Sequence, residues 1–97
     1  MKETDLDAIA VVLKDETAVR QALIFGSRAK GNYRPGSDVD IVLKGENITS
    51  QITAHISFLL NDEGLLPYKF DVLNYYTIDN KDLIDHINRV GKIIYSV

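Results

Sequence analysis

Apolar and polar positions recur with two different periods along this chain, and each change of period marks off a helix or a strand. Thr4 with Asp7 resembles a capping box, and Leu6, Ile9, Ala10 and Leu13 then recur at helical spacing, which predicts a first helix over residues 4–15. The unbroken apolar run Ala22-Leu23-Ile24-Phe25, ended by Gly26, has the pattern of a strand buried on both faces. In Asp38-Val39-Asp40-Ile41-Val42-Leu43 the period is two, so Val39, Ile41 and Leu43 share one face while Asp38, Asp40 and Val42 share the other. A second strand is predicted there, with its two carboxylates pointing the same way. Ile48, Ile52, Ile56, Leu59 and Leu60 form a helical stripe that Asn47 can cap and Gly64 can close. Beyond Pro67, Tyr68 to Leu73 has strand composition and carries Asp71, which a buried strand does not need for structure. Asp79 can cap a last helix with Leu83, Ile84, Ile87 and Val90 inward and Gly91 as its stop, and Ile93-Ile94-Tyr95 follows as an edge strand. These elements predict an α/β (α+β) fold. It is a small mixed sheet with the first, second and last helices packed on one face and the three aspartates gathered on the other.

Length and charge narrow the classes. Ninety-seven residues support one hydrophobic core, so residues 1–97 are expected to form a single domain. Eleven basic against fourteen acidic residues leave a net charge of −3, which offers no general attraction to a phosphate backbone and speaks against direct nucleic-acid binding. There is no cysteine, hence no disulfide and no thiolate metal site, and a reducing cytoplasm fits that composition. Met1-Lys2-Glu3-Thr4-Asp5 is too acidic for a signal peptide, and no apolar run approaches the roughly 20 residues that span a bilayer.

The segment between the first two strands carries the chemistry. Gly26-Ser27, ten further residues, and then Asp38-Val39-Asp40 combine three devices. Gly26 lacks a Cβ and lets backbone approach a phosphate, and Ser27 is placed at a turn whose free N–H groups point outward. Asp38 and Asp40, two apart on a strand, have the spacing to hold one or two divalent cations. Without a fixed cationic partner they raise one another's pKa, so Mg²⁺ bridging to triphosphate oxygens is the natural stabiliser. Asp71 joins them if its strand is a neighbour, and there it can take the proton of an attacking hydroxyl or ligate a second metal.

This segment resembles the Gly-Ser-x10-Asp-x-Asp signature of the DNA polymerase β-like nucleotidyltransferases. The whole chain, with its third Asp on a later strand, is similar to the minimal nucleotidyltransferase branch, often found as the antitoxin beside a HEPN-domain toxin. The resemblance implies a polymerase β palm-like fold. It also implies that Asp38, Asp40 and Asp71 are the catalytic, metal-holding triad for Mg²⁺, and that Gly26 and Ser27 bind the triphosphate of ATP. Arg28 joins those two as the basic candidate for the triphosphate. By the same resemblance, such a protein moves AMP from ATP onto a tyrosine hydroxyl of its partner toxin and so acts as an antitoxin. Two alternatives remain: a small-molecule nucleotidyltransferase of the aminoglycoside-modifying kind, and a non-catalytic nucleotide-binding module that inhibits its partner by contact.

Plainer readings stand beside these. Gly-Ser ends many strands, and Asp-Val-Asp alone fits a solvated edge; it is their spacing that points to a site. Asp71 can instead pair with Lys69 on its own strand face. Arg28, Lys30 and Arg34 also suit a solvated loop. Asn32-Tyr33 stands where a Walker A loop needs Lys and Ser or Thr, so a P-loop NTPase is excluded. His55 and His86 have no second ligand at i+4 and read as ordinary helix positions, not zinc ligands. Tyr75-Tyr76 reads as packing at a strand end.

Overall fold

The computed structural model describes residues 2–26, 38–64 and 66–97. Among these, three α-helices and four strands follow the order α1 (Glu3–Lys14), β1 (Gln21–Phe25), β2 (Val39–Lys44), α2 (Ser50–Asn61), β3 (Phe70–Asn74), α3 (Lys81–Val90) and β4 (Lys92–Ser96). A single 3-10 turn, Tyr75–Thr77, joins β3 to the segment before α3. Spatial order in the sheet is β3-β2-β1-β4. β1 pairs antiparallel with both β2 and β4, whereas β2 and β3 run parallel. The parallel pair needs a crossover, which α2 supplies. The sheet is therefore mixed, as the apolar pattern predicts.

Helix boundaries follow local hydrogen bonding more closely than the stripe alone could show. α1 starts one residue earlier than expected, because Asp5 rather than Asp7 reaches back to accept from the Lys2 N–H at 3.2 Å. Thr49, not Asn47, caps α2 by accepting from the Ile52 N–H at 3.2 Å. Asn80, not Asp79, caps α3, with one side-chain oxygen accepting from the N–H groups of Asp82 and Leu83 at 2.9 and 3.2 Å. At α2 and α3 a neighbouring polar residue has the better reach to the free N–H groups of the first turn.

Two apolar clusters divide the sheet by face. Ile9 and Leu13 of α1 and Ile56 and Leu60 of α2 pack with Ala22, Ile24, Val39, Ile41, Leu43, Phe70 and Val72. Each fully buried aliphatic side chain here contributes roughly 1.5–3 kcal/mol. The opposite face holds Leu23, Phe25 and Val42, closed by Ile87 of α3. The fold class is the expected one, but the last helix corrects the expected layering: it packs on the aspartate face, not beside α1 and α2. Leu23 and Phe25 point away from the main core because β1 alternates, and burying them requires a helix of their own.

Candidate active site at one end of the sheet

Strand register brings the carboxylates together. Asp40 is the cross-strand partner of Phe25 on one side and of Asp71 on the other. Partners on neighbouring strands share a face with backbones about 4.8 Å apart, so Asp40 and Asp71 stand side by side. Asp38 lies two residues upstream on the same line of chain and is exposed, as is Asp71, whereas Asp40 is half-buried. Gly26 directly follows Phe25 and has φ +74°, a left-handed conformation that costs an L side chain about 1–2 kcal/mol. A Cβ at this position would lie 2.6 Å from Oδ2 of Asp40. Glycine is thus favoured by backbone shape, and the turn rests against the carboxylate, which would have to shift to admit a Cβ.

Asp71 owes its position to a clamp on the residue before it. Asn61, in the last turn of α2, accepts from the Phe70 N–H at 2.7 Å and donates through Nδ2 to the Phe70 carbonyl at 3.0 Å. Its amide imitates a neighbouring strand at the start of β3. The Val39 N–H completes the junction by donating to the Lys69 carbonyl at 2.8 Å.

Electrostatics at this corner are unbalanced. Burial pushes the Asp40 carboxyl above its ordinary range, and the negative charges of Asp71 and Asp38 push it further; a positive charge on His86 would oppose them. Among the described residues no lysine or arginine pairs with any of the three aspartates, and the ion pair that does form, Arg89 with Asp85 at 3.2 Å, is exposed on α3. The alternative pairing of Asp71 with Lys69 is not made. Hard carboxylate oxygens with no counter-charge among the described residues are the donor chemistry that Mg²⁺ accepts, so the residues fit such a cation in kind. Among the described residues, no three side chains of the His, Cys, Asp and Glu types are already gathered closely enough to hold a metal. Register brings Asp40 and Asp71 side by side.

Gly26, Asp38, Asp40 and Asp71 thus meet at one end of the sheet, while Ser27 and Arg28 lie outside the described residues. His86, whose spacing predicts an ordinary helix position, also lies here. Its Nε2 accepts from the Gly26 N–H at 3.2 Å, and its ring meets Phe25 edge-on at 6.3 Å. One signal was available: His86 lies three residues after Leu83 and beside Ile87, on the inward stripe of α3. Asn61 was missed as well, and only the pairing of β3 reveals its role. His55 is exposed on α2, and Tyr75 packs against the smaller cluster with Lys44 4.3 Å from its ring centre, so neither enters the site. A cavity of about 670 Å³ opens at the other end of β1 and β2, between Arg20, Gln21, Lys44, Glu46, Asn47 and Tyr76. None of the aspartates lines it, and chemistry rather than size locates the site. No helix among the described residues is long and apolar enough to cross a membrane.

Comparison with known proteins agrees with this architecture. The profile of the family described as "Polymerase beta, Nucleotidyltransferase" matches residues 7–97. No curated protein matches the chain significantly. Among solved structures, a toxin-antitoxin complex with AMP-PNP contains a chain of similar fold, with a TM-score of 0.79, 18% identity, and coverage of 96% of this chain and 74% of that one. The toxin-antitoxin MntA-HepT superposes with a TM-score of 0.73 at 15% identity, covering 99% of this chain and 74% of that one. A structure from Shewanella oneidensis gives 0.74 at 11% identity, over 100% and 74%. At these identities the likeness is one of fold.

Proposed function

Because this chain belongs to the polymerase beta nucleotidyltransferase family, we propose that it transfers AMP from Mg²⁺-ATP to a tyrosine hydroxyl of a HEPN toxin and acts as that toxin's antitoxin. The observation that carries this is the register of Asp40 against Asp71 on parallel neighbouring strands, beside a glycine turn pressed onto Asp40. Similar folds in toxin-antitoxin complexes, one of them with AMP-PNP, support the choice of partner and nucleotide. The domain spans residues 1–97 and works in the cytoplasm.

Asp38, Asp40 and Asp71 would hold Mg²⁺, which supplies neutralising charge to the attacking and leaving oxygens. The residues of the chain do the rest. Asp71, the exposed carboxylate on the outer strand, takes the proton of the incoming hydroxyl. A bond then forms from the hydroxyl oxygen to the α-phosphorus, the bond from that phosphorus to the bridging oxygen breaks, and pyrophosphate leaves. Gly26, Ser27 and Arg28 receive the triphosphate at the end of β1, where a missing Cβ lets phosphate oxygens approach backbone. The partner supplies the hydroxyl and its alignment.

Mass spectrometry of a HEPN toxin that binds this chain tests the proposal after incubation with Mg²⁺-ATP. Addition of one or more AMP units is expected, with loss of that addition in Asp38→Ala and Asp40→Ala. A toxin that stays unmodified yet is inhibited on mixing would instead identify a contact inhibitor.

A further inference from the structure

α3 brings one more side chain to the nucleotide corner, and its contact there is to backbone. His86 is half-buried, its Nε2 accepts from the Gly26 N–H at 3.2 Å, and its ring edge packs against Phe25. Donor and acceptor are 60 residues apart in sequence, so the bond ties the end of β1 to a helix anchored by the buried Ile87. A ring nitrogen that accepts from a backbone N–H carries no proton, which places the ring proton on Nδ1. Packing against Phe25 alone would be served equally well by phenylalanine. A nitrogen turned onto the amide of the one left-handed glycine in the described chain serves a further purpose. Glycine has the most conformational freedom to lose, and a turn built on it needs a fixed partner to hold one geometry.

We propose that His86 is a positioning residue of the nucleotide site: by holding the Gly26 N–H it keeps the glycine turn seated against Asp40, so that phosphate-binding backbone and cation-binding carboxylates stay in register. This rests on the nucleotidyltransferase reading of the same corner. His86 acts through Gly26, and its effect falls on the binding of Mg²⁺-ATP.

Calorimetric titration with Mg²⁺-ATP, together with the Gly26 amide signal in ¹H–¹⁵N spectra, tests this on the full chain. His86→Phe keeps the ring contact and removes the acceptor. It should raise the Kd for Mg²⁺-ATP roughly three- to tenfold, the worth of one such hydrogen bond, speed amide exchange at Gly26, and leave the melting temperature within a few degrees. His86→Gln, whose side-chain oxygen reaches about as far as Nε2, should recover most of the affinity and of the amide protection. A His86→Phe variant that binds like the wild type with an unchanged Gly26 signal overturns the proposal, as does a His86→Gln variant no better than His86→Phe. If the wild type itself does not bind Mg²⁺-ATP, the nucleotide reading falls; if it binds and His86→Phe changes nothing, only the role of His86 falls.

Discussion

Gly26 shows how much one residue can decide. Its φ of +74° opposes a side chain, and a Cβ 2.6 Å from the Asp40 carboxylate would push that carboxylate from its place. Gly26→Ala should therefore cost about 1–2 kcal/mol of stability and lower transfer activity at least tenfold, as read by urea unfolding and product assays. Asp40 gives the opposite pairing of effects. Its pKa is raised, so folding favours its acid form more than the unfolded chain does: the stability this supplies is fully present below the ordinary carboxylate range and is lost as pH climbs through the raised value. Without divalent cation, Asp40→Asn should be more stable than the wild type near pH 7 by no more than about 1 kcal/mol, because the group is still partly solvated. The gain should vanish near pH 3, and activity should be lost. Thermal melts across pH check both signs. The shared face of Asp38 and Asp40 was legible in the sequence because a strand has a fixed alternation, whereas the pairing of Asp40 with Asp71 needed the strand order. His86 was not legible, because a hydrogen bond across 60 residues leaves no local trace.

Elements deliver these residues to the corner, and their ends matter more than their middles. Asn61 closes α2 and holds both backbone groups of Phe70, so Asn61→Ala leaves a donor and an acceptor unmatched beside β3. A loss of about 1–3 kcal/mol is expected, with faster amide exchange at Phe70 and Asp71 as the local reading. Asn80→Ala removes the cap of α3 and should cost about 1 kcal/mol. Because α3 carries His86, that fraying should also loosen the Gly26 amide. Periodicity located every helix and strand within a few residues. The caps it misplaced by one or two positions, at α1, α2 and α3, are choices among adjacent polar residues that only the folded geometry resolves.

At the scale of the whole molecule, the two faces of the sheet do different work. α1 and α2 bury the larger cluster on one side, while α3, with Tyr75 and Ile78, covers part of the other, and Asp38, Asp40 and Asp71 lie at one end of the sheet. Sequence alternation revealed that β2 has an apolar face and a carboxylate face; it could not show that β1 buries Leu23 and Phe25 on the carboxylate side and so draws α3 there. On the proposed function, Gly26 and the three aspartates make one Mg²⁺-ATP site. The most direct test of that claim is the melting temperature of the wild type and of Asp38→Ala, Asp40→Ala and Asp71→Ala with rising Mg²⁺-ATP. The wild type should melt higher as nucleotide increases, as any ligand bound only by the folded state requires, and each variant should lose most of that rise. A wild type indifferent to Mg²⁺-ATP, or an Asp71→Ala variant stabilised as strongly as the wild type, would contradict it.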